Sequence, residues 1–460
     1  MARQRQSANR KAAGKWHALV EPTRVHRAIY VDPAIFEEEM TKIFGGTWVY
    51  LAHESEVPQP YAFRLGALGV RPLVITRDGE GRLHALFNRC MHRGATVCRA
   101  ERGSARTFMC GYHGWTYDST GKLVGVPYPK AYGPRFDRSE LALREVPRVE
   151  SYRGFIFGTL NLDAPSLIEH LGAARPLLDR WMDRFPGPIL VRNGAHRMAY
   201  RGNWKLAFDN AADAYHPPVS HSSIQEMTTR RYGFGRSLSH FAGDPDDGAM
   251  YVQGLGNGHT FLDQRPAMGD SLWEQDRPIP GGEAFVASLR RQYGDAEAAR
   301  LLEFAVGGGM NLNIFPNLLI IGNQIQVIEP LSVDRTQLTW YATTVENVPA
   351  EINTLRMRMQ EDFPNFGEPD DQANFEECQR GLAVPEIEWL DLSRHSETGR
   401  ERVDDRGVVT GPVTDEITLR SYLQEWRRLM AAEVSLATGP NATASARALA
   451  AVPRPAPEAR

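Results

Sequence analysis

The chain has 460 residues, 42% of them hydrophobic, a net charge of −3 and a pI near 6.5. That length suits about two to four domains with sizeable cores. It carries no global basic field for nucleic acid or an anionic membrane, and no apolar run approaches the roughly 20 residues of a membrane span.

Residues 1–16 are basic and polar without the apolar stretch of a secretory signal, so they read as a flexible arm. Residues 33–45 have helical apolar spacing and end in Gly. From 46 to 160 the chain reads as an all-β module. Short β-branched and aromatic segments alternate with turns such as DGEGR and DSTGK. Residues 164–185 return to helical periodicity, and 189–202 include a strand. NWKLAFDNAADAYH (203–216) is a helical pattern halted at Pro217-Pro218. Residues 225–280 read as long Gly-, Asp- and Pro-rich loops, 281–306 as helical and 311–346 as two or three strands. Helices are expected at 350–364, 370–383 and 413–434. The Ala/Pro-rich tail after 437 is expected to be disordered. The expected fold is α+β, divided into an N-terminal arm and helix (1–45), a β domain (46–160), a second domain with an antiparallel sheet flanked by helices (161–436) and the tail.

Cysteine is scarce: Cys90, Cys98, Cys110 and Cys378. This excludes a disulfide scaffold and suits a reducing cytoplasm. Two cysteines sit in metal-binding spacing, Cys90-x-His92 and Cys110-x-x-His113, each in a loop of the β module. Chance would give about 0.1 Cys-x-His match in a chain with these counts. Two thiolates and two imidazoles suit a structural zinc tetrahedron. They equally suit a Rieske [2Fe–2S] centre, with Cys on one iron and His on the other.

A second constellation lies in DAYHPPVSH: Asp213, His216 and His221. A kink at the prolines would bring the two histidines together. With one carboxylate they would make a 2-His-1-carboxylate iron face with open positions. Spacing leaves Asp213, Asp370, Asp371 and Glu376 open as the third ligand.

CMHRGA followed by CGYHGWTYDSTGKLVGVP resembles the Rieske signature of the α subunits of aromatic-ring-hydroxylating oxygenases. NWKLAFDNAADAYHPPVSH resembles their iron helix, and NIFPNLLIIGNQIQVIEPLSVDRT and DDQANFEECQRGL are similar to their pocket strands and late carboxylate segment. The resemblance implies a [2Fe–2S] cluster on Cys90, His92, Cys110 and His113. It implies a catalytic Fe(II) on His216, His221 and Asp371. Asp213 then bridges a Rieske histidine (His113) to His216 across a subunit boundary, with Asp209 and Asn210 joining it in the catalytic set. Asp209 stands where Glu is usual, and Gly111 where Pro is common.

The implied reaction is cis-dihydroxylation of an aromatic substrate with O2. Its electrons come from NAD(P)H through a reductase and ferredoxin. The implied assembly is a homotrimer, with or without a small β subunit. A Rieske monooxygenase, including an O-demethylase, uses the same iron pair. A bare electron carrier would lack the mononuclear iron, and a zinc module would be colourless. Arg230 and Arg231 are candidate partners for an aromatic acid, the substrate class expected here.

Overall fold

The computed structural model describes residues 18–184, 187–191, 194–223, 226, 230, 244–268, 282–306, 309–434 and 436. The expected arm and tail lie outside them. The described residues fall into two compact units, one within 40–167 together with 433, 434 and 436, the other within 18–39 and 168–432. No helix among the described residues is long and apolar enough to cross a membrane.

The smaller unit is built from antiparallel sheets, and its order follows its turn chemistry. In DGEGR, Asp78 Oδ1 accepts the backbone N–H groups of Glu80 and Arg82, at 3.0 and 2.9 Å. In DSTGK, Asp118 Oδ1 does the same for Thr120 and Lys122, at 2.9 and 3.0 Å. Gly81 and Gly121 close these turns at φ +80° and +86°, a conformation that costs glycine little. The first turn joins Arg71–Arg77 to Leu83–Phe87 in a four-stranded sheet that continues through Ala62–Leu68 to Arg102–Ser104. The second joins Thr116–Asp118 to Leu123–Gly125, beside Thr107–Met109. A third sheet pairs Arg148–Tyr152, Phe155–Thr159 and Val49–His53. Cys90, Cys110, Trp115 and Tyr117 are buried in one cluster with Phe63, Val74, Leu86 and Phe108.

The larger unit carries an antiparallel sheet in the order Ala195–Tyr200, Arg335–Tyr341, Gln324–Ser332, Leu318–Ile321, Met310–Ile314, Thr260–Asp263, Tyr251–Gly254, Val409–Pro412, Arg402–Val403. Segment 310–346 therefore supplies more strands than the two or three expected. The Gly-rich stretch read as loops contributes two central strands, Tyr251–Gly254 and Thr260–Asp263. Gly254, Gly256 and Gly258, at and between these strands, mask the alternation.

Two helices also differ from expectation. The helix Trp204–Ala211 is capped by buried Asn203, whose side chain accepts the Lys205 N–H at 3.1 Å. It ends at Ala211, and a new turn, Pro217–Ser220, begins at the prolines rather than stopping there. Proline is favoured at a helix start, where its missing N–H costs nothing. Likewise Ala350–Leu382 runs as one helix through Pro364 and Pro369. Pro364 leaves the Gln360 carbonyl without its helical donor, and the side chain of Gln324, from the sheet, donates to it instead.

A buried ion pair fastens the Trp204–Ala211 helix. Lys205 Nζ lies 2.6 Å from Glu39 Oε1 with both side chains fully buried. Glu39 also accepts the indole N–H of Trp204 (2.9 Å) and of Trp426 (2.7 Å).

Candidate metal centres

The two Cys/His loops of the smaller unit share one backbone pattern. The Cys90 N–H donates to Ala95 O and the Gly94 N–H to Cys90 O, at 2.8 and 3.0 Å. In the second loop the Cys110 N–H donates to Trp115 O and the Gly114 N–H to Cys110 O, at 2.8 and 2.9 Å. Gly94 and Gly114 adopt φ +81° and +70°. Behind the first loop, buried Asn88 takes the N–H groups of Val97 and Cys98 at 2.9 Å each and donates to Cys98 O at 2.7 Å.

The four side chains sort by kind. Both cysteines are buried, whereas His92 is exposed and His113 half-buried. The two imidazoles lie edge to face with centroids 4.6 Å apart, and His92 stacks on Trp115 at 5.0 Å. The Tyr117 hydroxyl accepts the Met91 N–H at 3.0 Å, which directs its own proton toward Cys90 Sγ, 3.4 Å away. A donor on a thiolate stabilises the reduced cluster.

A tetrahedral zinc would hold its ligand atoms roughly 3.3–3.8 Å apart. Among the described residues, the group of three or more such side chains with all ligand atoms within 4.8 Å is His216, His221 and Asp371, in the other unit. The spread set in the loops, thiols inward and imidazoles outward, suits two irons rather than one zinc.

In the larger unit the prolines bring the two histidines together as expected, with ring centroids 5.3 Å apart. The Nε2 atoms of His216 and His221 stand 3.5 and 3.3 Å from Asp371 Oδ1. Each imidazole has a carboxylate behind it. Asp213 Oδ2 is 3.1 Å from His216 Nδ1, and Asp370 Oδ2 is 3.6 Å from His221 Nδ1. At hydrogen-bond distance, the Asp213 carboxylate keeps the proton on His216 Nδ1 and turns its Nε2 lone pair inward. The Tyr215 N–H donates to Asp213 Oδ1 at 2.6 Å and fixes that carboxylate. Asn210 hydrogen-bonds Asp371. From spacing, Asp370 is only an alternative third ligand. Its place behind His221 could have been suspected only from its adjacency to Asp371.

The electrostatics ask for a cation. Buried Asp371 Oδ1 has no hydrogen-bond donor. Burial pushes the Asp371 carboxyl up to about 7, against the opposing effects of His216 and Asn210. For His216, burial disfavours the charged form, but Asp213 outweighs it and holds the imidazole above its ordinary value. Two inward lone pairs and a carboxylate oxygen lacking a donor fit a divalent metal, and three protein ligands leave coordination positions open.

Other expected residues fall elsewhere. Asp209 is half-buried, takes hydrogen bonds from Tyr30 (3.1 Å) and Tyr422, and is pushed up to about 7 by desolvation. It is absent from the converging ligand group. Glu376 pairs with Arg201 at 3.1 Å and is likewise outside that group. Arg230 is exposed and paired with Glu226, and Arg231 lies outside the described residues. Glu368 was not anticipated. It is a buried carboxyl pushed up to about 8 by burial, one turn from Asp371, with Gln326 and Gln372 as donors at 3.3 and 3.1 Å.

A β module presenting two Cys/His loops, joined in one chain to an α+β unit with a 2-His-1-carboxylate constellation, defines a two-centre iron oxygenase. Comparison with known proteins agrees. The family described as "Rieske [2Fe-2S] domain" matches residues 47–152, and "Ring hydroxylating alpha subunit (catalytic domain)" matches 189–432. The large subunit of 2-halobenzoate 1,2-dioxygenase from Burkholderia cepacia is 36% identical over 384 residues, 81% of this chain and 80% of that one. The α subunit of toluate 1,2-dioxygenase from Pseudomonas putida is 36% identical over 374 residues, 78% and 79% of the two chains. Naphthalene 1,2-dioxygenase from Rhodococcus sp., solved with indole, superposes with a TM-score of 0.73 at 28% identity, covering 92% of this chain and 98% of that one. The chain belongs to the ring-hydroxylating oxygenase α-subunit family. It is the oxygenase component of a Rieske-type aromatic-ring dioxygenase, with a [2Fe–2S] cluster and a non-haem iron as cofactors and O2 as co-substrate.

Proposed function

We propose that the chain cis-dihydroxylates a substituted aromatic carboxylic acid, with Cys90, Cys110, His92 and His113 holding the cluster and His216, His221 and Asp371 holding ferrous iron. The observation that carries this reading is the approach of both Nε2 atoms to Asp371 Oδ1, at 3.5 and 3.3 Å. Bound there, iron supplies O2 activation, and the cluster supplies electrons one at a time. The protein's own part is positional. Asp213 holds the Nδ1 proton of His216, Asp370 stands behind His221, Asn210 orients Asp371, and the buried Glu368 carboxyl keeps a proton one turn away. The substrate class follows the relatives named for halobenzoate and toluate. Arg230, exposed and tied to Glu226, is not the group that receives the acid.

We further propose a homotrimer, with or without a small β subunit, in which the cluster of one chain serves the iron of its neighbour through Asp213. Two exposed apolar patches support it. Tyr112, 55% exposed, packs on His113, while Tyr215 and Val219, 54% and 77% exposed, flank His216. Electrons arrive from NAD(P)H through a reductase or ferredoxin. Free cysteines are consistent with a cytoplasmic setting.

The test is composition and product. The protein as isolated should hold three irons and two sulfides per chain, and labelled O2 should place both oxygens in one diol. Asp371→Ala should lose one iron, keep the cluster spectrum and reduce turnover to the detection limit. Two irons in the parent protein would leave only an electron carrier, and a single labelled oxygen would make it a monooxygenase.

A further inference from the structure

The charge of this chain is unevenly placed. Overall it is −3, yet residues 89–138, which carry both cluster loops, hold nine Lys/Arg against three Asp/Glu. The concentration is sharpest at 89–106, with five arginines and one acid. Arg89, Arg93, Arg99, Arg102 and Arg106 are all exposed.

Three of these guanidiniums lie over the cluster loops themselves. That of Arg89 lies 3.5 Å from where a Cβ on Gly94 would stand, and that of Arg99 lies 3.5 Å from the same point on Gly111. Arg93 sits 5.1 Å from the Tyr112 ring. Arginines elsewhere are commonly paired, as Arg64 is with Glu56, Arg77 with Glu54, Arg265 with Asp263 and Arg420 with Asp415. Among the described residues no such carboxylate pairs with Arg89, Arg93 or Arg99. Two acids that follow the second loop are used locally. Asp118 closes its turn and Asp137 caps the short helix Arg138–Leu141. Unpaired exposed cations held over a redox centre are poor at stabilising a fold but effective at steering an oppositely charged partner.

We propose that the arginine face formed by Arg89 and Arg99, extended by Arg106, is the docking surface for an acidic electron-transfer protein, which delivers electrons to the cluster through these loops. This rests on the oxygenase reading above and names the chemistry of the donor: a protein whose own redox centre is ringed by carboxylates. Tyr112 and Met109, exposed beside the second loop, remain for the neighbouring subunit.

The test uses the intact oxygenase with its metals and a dithionite-reduced acidic plant-type [2Fe–2S] ferredoxin as probe, mixed by stopped flow over a range of salt. The second-order rate constant for cluster reduction should fall steeply as ionic strength rises, by about tenfold or more between 20 and 200 mM salt. Arg89→Glu and Arg99→Glu should each lower it severalfold at low salt, and the double variant by more than tenfold. Arg99→Lys, which keeps the charge, should retain the parent rate. Reduction by photoexcited deazaflavin, the cluster's electron paramagnetic resonance and its midpoint potential report separately on whether the centre is intact. A salt-independent rate, or reversals that leave the rate unchanged, would overturn the proposal. Reversals that dissociate the oligomer while the rate stands would make this face a contact between copies of the chain, and overturn it equally. Failure of the oxygenase reading itself would show differently, as a missing cluster or mononuclear iron in the parent protein.

Discussion

The cluster loops of the smaller unit draw all four candidate ligands from residues 90–113, whereas the iron constellation of the larger unit joins His216 and His221 to a carboxylate at 371. The first site is shaped by backbone. Two matching loops close on themselves through Cys and Gly amides, and each turns on a left-handed glycine. The second is shaped by buried charge. Asp213, Asp370 and Asp371 surround two imidazoles, and the helix leading to them is anchored by Lys205 and Glu39, with no exposed surface on either side chain. A loop site tolerates change around it and depends on conformation within it. A charge-built site depends on groups brought from distant parts of the chain.

The comparison breaks first at Asp213. If it orients His216 and links two centres, Asp213→Ala should cut product formation by at least about 100-fold while three irons and two sulfides stay bound. Near-normal turnover would remove the bridging role. Lys205→Met should come next. It leaves Glu39 charged and buried, so it should cost about 3–5 kcal/mol in denaturant unfolding. A matched loss in cluster content would show that the two sites are not built independently.

The larger unit should also carry a pH signature. His259, fully buried, is lowered to about 4 by burial, with its Nε2 proton donated to His170 O at 2.7 Å. The unfolded chain takes up that proton near pH 6.5. This contribution is therefore complete above pH 6.5 and falls by about 3 kcal/mol between pH 6.5 and 4. His259→Gln should flatten that part of the stability–pH curve. The smallest effect belongs to the loops: Gly94→Ala places a side chain at φ +81° with a strain of about 1 kcal/mol. The new methyl would meet the Arg89 guanidinium at an ordinary contact distance of 3.5 Å, so the variant should fold and lose part of its cluster absorbance. An unchanged cluster would weaken the argument that backbone conformation sets that site.

The same contrast governs what could be read from the chain. The loops were legible because ligand type, spacing and turn residues fall together within 90–113. The pairing of His216 with His221 was legible through the intervening prolines, although those prolines begin a turn rather than end a helix. Asp371 could be chosen over Asp370 only through family resemblance, because linear spacing says nothing about a contact closed by tertiary folding. Asp370 behind His221 and Glu39 beneath Lys205 were invisible for the same reason. The continuous helix Ala350–Leu382 was missed because the rule that proline breaks helices ignores donors from outside. Gln324 provides one from the sheet.

The outward-facing imidazoles of the smaller unit have a consequence for handling. An electron resting at an exposed edge is open to dissolved O2 as well as to a neighbouring subunit. In the trimer proposed above, mass action at high protein concentration keeps subunits together and the edge covered. On dilution the same edge would reduce oxygen without making product, so the yield of diol per NAD(P)H consumed becomes a function of protein concentration.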